Sequence, residues 1–166
     1  MAYTITTPEI GYPGITSTAT VAALPLGTIA EGKDPTYGGG RFIYLKGVTS
    51  TVAGSVVSYN QLTGATTLVP NTANLAAPLA VAMGACTTGL YGWYQVGGAA
   101  VIKKTAVKVN PAVKLYISGT AGRLMPTAAS GKQILELITV NAATVLSATS
   151  TITALIQYPF AQGATA

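Results

Sequence analysis

Four carboxylates, Glu9, Glu31, Asp34 and Glu136, stand in a chain that has no histidine and a single cysteine, Cys86. General acid–base catalysis needs positioned titratable groups. Glu31 and Asp34 are close enough in sequence to raise a paired-carboxylate glycosidase site. Flanking Lys33 and followed by Pro35, they read instead as solvated turn residues. Without histidine the chain cannot build the usual zinc sites, nor a serine or cysteine triad that relies on imidazole. The glycine run in GGGRF, residues 38–42, lacks the Lys-Ser/Thr of a phosphate loop, and no GxGxxG follows a strand. Lys103-Lys104 could hold a phosphate, but adjacent strand residues point to opposite faces, so at least one reads as a plain surface lysine. Tyr91, Trp93 and Tyr94 could stack on bases or sugars. Since period two puts Tyr91 and Trp93 on one face, packing in a core or a subunit interface is the better reading. These residues predict no catalysis, no metal and no cofactor.

The elements that would position them are short and β-prone. Residues 42–46, 55–59, 66–69, 79–83, 90–96, 99–104, 113–117, 123–125, 134–140 and 152–158 read as strands, with Gly or Pro between them. Hairpins are expected around 60–64 and 118–122, and at Gly97-Gly98; Pro159 is expected to end the last strand. Helical alternatives at 71–77 and 140–150 are weak, the second because of its Thr and Ser content. The pattern predicts an all-β fold, a compact β-sandwich or barrel, with a jelly roll among the arrangements it admits. Residues 1–40 differ from the rest. Pro8, Pro13, Pro25 and Pro35 interrupt them, yet they carry many apolar side chains. They read as an extended N-terminal arm lying in a groove, joined by Gly38-Gly39-Gly40 to a β-rich body at 41–166.

Composition narrows the class further. The chain has 166 residues, one ordinary domain, with 49% apolar and only 8% charged residues and a net charge of +5. Disorder needs lower hydrophobicity or higher charge. Residues 1–34 carry −2 and residues 35–166 carry +7. The basic residues are scattered, Lys outnumbers Arg, and no nucleic-acid recognition motif is present. A mildly basic surface meeting an acidic partner is the better reading. Between Lys46 and Lys103 lie 56 uncharged residues, expected to be buried in the fold or against another subunit. The N-terminus lacks the basic start and apolar core of a signal peptide. The best membrane window, 137–156, has eight polar residues in twenty, so no membrane span is expected. Cys86 fits a reducing compartment as a small buried hydrophobe.

Several segments together resemble a known family. DPTYGGGRFIYLKGV (34–48), TVAGSVVSYN (51–60), PLAVAMGAC (78–86) and GLYGWYQVGGAAVIKK (89–104), with the glycine-rich hairpin of LYISGTAG (115–122), are similar to the small capsid-associated proteins of tailed bacteriophages. The resemblance covers roughly residues 20–125, and the Thr/Ala-rich segment 142–153 departs from it. It implies a head decoration, or cement, protein made in the bacterial cytoplasm and bound to the outside of the virion capsid. The partners it implies are the major capsid protein and further copies of this chain as a homodimer or homotrimer, with no membrane and no direct DNA contact. Candidate contacts in the arm are Ile5, Ile10, Ile15, Leu24, Ile29 and Tyr37. On the body they are Arg41, Phe42, Tyr44, Tyr91 and Trp93. Two other readings stand beside it: a structural virion protein elsewhere, such as a head fibre or tail component, and a nucleic-acid-binding β-barrel using Tyr91, Trp93 and Tyr94.

Overall fold

The computed structural model describes residues 3–6 and 11–164. Its strands are β1 (Thr4–Ile5), β2 (Thr18–Ala19), β3 (Ile29–Asp34), β4 (Gly38–Lys46), β5 (Val56–Tyr59) and β6 (Thr66–Leu68). They continue as β7 (Ala76–Ala82), β8 (Tyr91–Lys103), β9 (Tyr116–Ile117), β10 (Leu124–Met125), β11 (Ile134–Thr139) and β12 (Thr151–Gln162). The fold is all-β, as the strand pattern predicts, and neither weak helical segment forms a helix. Ten strands make one curled antiparallel sheet in the order β1-β3-β4-β8-β12-β7-β5-β6, with β11 on β12 and β2 on β8; β9 and β10 form a separate hairpin. Among the described residues no helix is long and apolar enough to cross a membrane.

Burial on both faces organises the centre of the sheet. Phe42-Ile43-Tyr44-Leu45 on β4 and Trp93-Tyr94 on β8 are consecutive large apolar residues, and such runs require cover on each side. Phe42, Tyr44 and Trp93 pack on one side with Tyr3, Ile15, Ala30 and Met83. Ile43, Leu45, Tyr94 and Val96 pack on the other with Val57, Ala80, Ala82 and Cys86. A third cluster lies beneath the far half of β8, β12 and β11, and includes Ile102, Ile152, Ile156, Leu115 and Leu124. Most large apolar residues of the uncharged segment 47–102 lie in these clusters, while its exposed loops carry polar and small residues.

Residues 3–6 and 11–40 are therefore cover for the core rather than a separate arm. Their prolines keep 11–28 irregular apart from β2, but β3 pairs with β1 on one side and β4 on the other. The proposed glycine joint lies inside β4, where Gly38 pairs with Asp34 and Gly40 with Gly32. Asp34 Oδ1 closes this β3–β4 hairpin by accepting the N–H groups of Thr36 and Tyr37 at 2.7 and 2.9 Å.

Two expected strand ends also shift. Gly97-Gly98 forms no hairpin turn, and β8 runs through it. Arg41 pairs with Gly97 and Phe42 with Gln95, so Val96 is the extra residue of a bulge that bends the strand just before Gly98, at φ +94°. On β4's side β8 pairs up to Gly98, and β12 takes over its other edge from Gly97 onward. Pro159 does not end β12 either. It lies where the β11–β12 register slips, opposite Glu136, and a bulge tolerates the missing donor.

Candidate functional site

The eleven expected contact residues do not gather at one surface. Ile15, Phe42, Tyr44 and Trp93 are buried in this chain's own core, which removes them from any exterior contact. Trp93 Nε1 donates to Pro13 O at 3.0 Å, and its ring meets Tyr44 edge-on at 5.2 Å. Ile5, Leu24, Tyr37 and Tyr91 are partly buried against the same cluster. Tyr94 is buried too, so Trp93 and Tyr94 offer no stacking platform to bases. Ile29 is exposed, Arg41 is exposed, and Ile10 lies outside the described residues.

Other predicted chemistry is dispersed in the same way. Glu31 and Asp34 lie on opposite faces of β3, one exposed and one buried, so they form no carboxylate pair. Cys86 is a buried free thiol whose pKa burial pushes up. Among the described residues no three of His, Cys, Asp and Glu are grouped as metal ligands. Lys104 is the surprise: it is fully buried, and its Nζ donates to the carbonyls of Thr105, Val107 and Leu146 at 3.2, 2.8 and 3.0 Å. It ties two loops together, and desolvation lowers its pKa. Sequence offers only alternation as a guide here, and alternation says that one of Lys103 and Lys104 faces inward without saying which.

What the structure does assemble is an outer sheet face. On β11 and β12, Leu135 pairs with Phe160 and Ile138 with Leu155, and paired residues share a face. The N–H of Val140 extends the ladder to Thr153 O. Leu135, Ile138, Val140, Leu155 and Phe160 remain 40–45% exposed. Beside Leu155 on β8 is Ala99, and beside Phe160 on β7 is Pro78. These apolar side chains form two patches on one face, separated by the exposed Glu136, Gln157 and Tyr158 at the register slip, and exposed apolar clusters mark interaction surfaces. Its trace in the sequence is ILELI at 134–138, where large apolar residues occupy both faces of one strand.

The same outer face continues as a polar groove. One row across four strands reads Glu31, Arg41, Gly97 and Gln157. Gly97, Gly98, Gly39 and Gly40 leave a trough of about 460 Å³ bordered by Thr6, Lys33 and Tyr158. Arg41 Nε donates to Glu31 Oε1 at 3.2 Å. The guanidinium pKa is raised above its ordinary value by hydrogen bonds to Tyr158 and Glu31. Tyr158 sits at φ +50° in the β12 bulge, and both Gln157 and Tyr158 face outward in consequence. The buried Gln95 holds the floor from beneath, donating Nε2 to Gly97 O and Ala99 O, each at 3.0 Å.

Comparison of the chain with family profiles, with curated proteins and with solved structures finds no significant match.

Proposed function

We propose that this chain is a structural protein of a tailed-phage head, bound to the outside of the capsid, where it bridges neighbouring capsomers and stabilises the shell. No reaction is assigned to it. The observation that carries this reading is the exposed apolar face of Leu135, Ile138, Val140, Leu155 and Phe160, which matches the work of a cement: removing surface from water across a junction. The segments similar to phage capsid-associated proteins, which name the partner, support it from the sequence side.

Magnitudes set the mode of attachment. A fully buried aliphatic or aromatic side chain contributes ~1.5–3 kcal/mol. Five side chains with about two-fifths of their surface still to bury would therefore supply roughly 3–6 kcal/mol. Association alone costs about 4–15 kcal/mol. One such face is too small to hold a single copy, so attachment requires a wider footprint or several copies acting together as a dimer or trimer.

The test is whether the chain travels with heads. Particles of the encoding phage are banded on a density gradient and washed through a salt series. The reading expects co-migration at a fixed ratio to the major capsid protein, retained at high salt. Recovery only in the unassembled fraction overturns it, and steep salt-dependent release transfers the binding to the basic residues.

A further inference from the structure

We propose that the groove between Glu31, Arg41 and Tyr158 is a saccharide-binding site that takes a neutral hexose or N-acetylhexosamine unit of a glycan. A pyranose has an apolar C–H face and a rim of hydroxyls that both donate and accept. The groove offers both complements. Tyr158, 47% exposed, provides an aromatic wall, and Arg41, Glu31 and Gln157 provide planar polar groups beside it. The volume of about 460 Å³ lies within the usual range for small-ligand sites, ~300–1,000 Å³.

Three features show that the groove is built rather than incidental. Its floor is glycine on the outer row, where a Cβ on Gly97 would crowd the Arg41 side chain at 3.3 Å, while Gly40 and Gly98 leave no room for a Cβ against the core and the neighbouring strand. Tyr158 is held in the left-handed region, which non-glycine residues rarely adopt; the bulge aims its ring outward. Arg41 Nε is held on Glu31 Oε1 at 3.2 Å, which keeps the guanidinium on the trough's rim beside Tyr158.

The alternatives fit less well. A phosphate would meet the Glu31 carboxylate beside Arg41. A peptide adding as a strand would need a free edge, but β3, β4 and β8 each pair on both sides at this point. The site does not depend on the docking role proposed above, since its side chains are not those of the apolar face.

Two variants test it without endangering the fold. Gly39 has ordinary φ and open space around its Cβ position, so Gly39→Leu fills the trough. Tyr158→Gly removes the ring at a backbone position that suits glycine. Glucose, galactose, N-acetylglucosamine, maltotriose and inorganic phosphate are titrated separately into the full chain, followed by amide chemical shifts. At least one saccharide should give saturable shifts at Gly39, Gly40, Gly97 and Gly98, and both variants should weaken it by about tenfold or more. The proposal is overturned if no saccharide saturates those amides, if Gly39→Leu binds like the unaltered chain, or if phosphate alone produces the shifts.

Discussion

Trp93 shows how one side chain can hold distant parts of this chain together. Its indole bonds the Pro13 carbonyl, and its ring packs against Tyr44 and, at 5.7 Å, Tyr12. Trp93→Ala should lower stability by ~3–5 kcal/mol in denaturant titration; a loss under about 1 kcal/mol would mean the ring is not packed as described. Lys104 is the polar counterpart. Its ammonium satisfies three carbonyls, and leaving a buried acceptor unpaired costs about 1–3 kcal/mol. Lys104→Met should therefore destabilise the chain by about that much and speed amide exchange near Val109 and Val145, the bridge that its loops flank. Unchanged exchange there would count against the clamp. Titration adds a pH dependence. Burial raises the pKa of Cys86 above 9.0 and those of Tyr3, Tyr59 and Tyr94 above 10.0. The unfolded chain releases these protons first, so stability present below about pH 9 is lost as pH rises. Lys104 acts in the opposite sense: its lowered pKa means that the cost of burying its charge is relieved as pH approaches 10.5. The shift is largest at Tyr94, so the acids set the trend. Tm should fall above about pH 9, with Cys86→Ala moving the onset upward; a rising Tm would contradict these environments.

At the scale of elements, the bend in β8 decides the architecture. Gly98 lets one strand serve β4 with its first half and β12 with its second. Gly98→Ala would strain a φ of +94° and place a Cβ against Gly39 O. It should cost at least ~1–3 kcal/mol and broaden the unfolding transition. The N-terminal segment makes the second element-scale prediction. Removing residues 1–39 would delete β3 and uncover Phe42, Tyr44 and Trp93. The shortened chain should lose cooperative unfolding by circular dichroism; a sharp, near-native transition would show that the cover is dispensable. These two elements also mark where the sequence was legible. Hairpins at 60–64 and 118–122 are apparent because glycine follows polar residues between β-prone runs, and they form as β5–β6 and β9–β10. Gly97-Gly98 and Pro159 carry the same local chemistry as turns, and only the pairing partner distinguishes a bulge from a strand end. The N-terminal segment misleads for a related reason: its prolines exclude long strands, but not close packing on FIYL. The outer face was the least legible, because Leu135–Phe160 and Ile138–Leu155 become neighbours only through the β11–β12 register.

For the whole molecule, the proposed role joins a body with three buried apolar clusters to one outward face. Burial takes up the large apolar residues of segment 47–102, while its exposed loops, such as 60–63, 71–74 and 87–89, remain uncharged. Where several copies acting together supply the missing free energy, the chain free of particles should sediment as a dimer or trimer at micromolar concentration. A monomer that still decorates heads would instead require the wider footprint. Attachment should change little with salt, since the five docking side chains are apolar. The most direct measurement is a cryo-electron-microscopy map of the intact head, with the chain placed in its density. The account predicts a regular array on the outer shell, with the β11–β12 face bearing Leu155 and Phe160 against the major capsid protein across capsomer junctions. A shell without this density, or the chain seated with that face open to solvent, would contradict it.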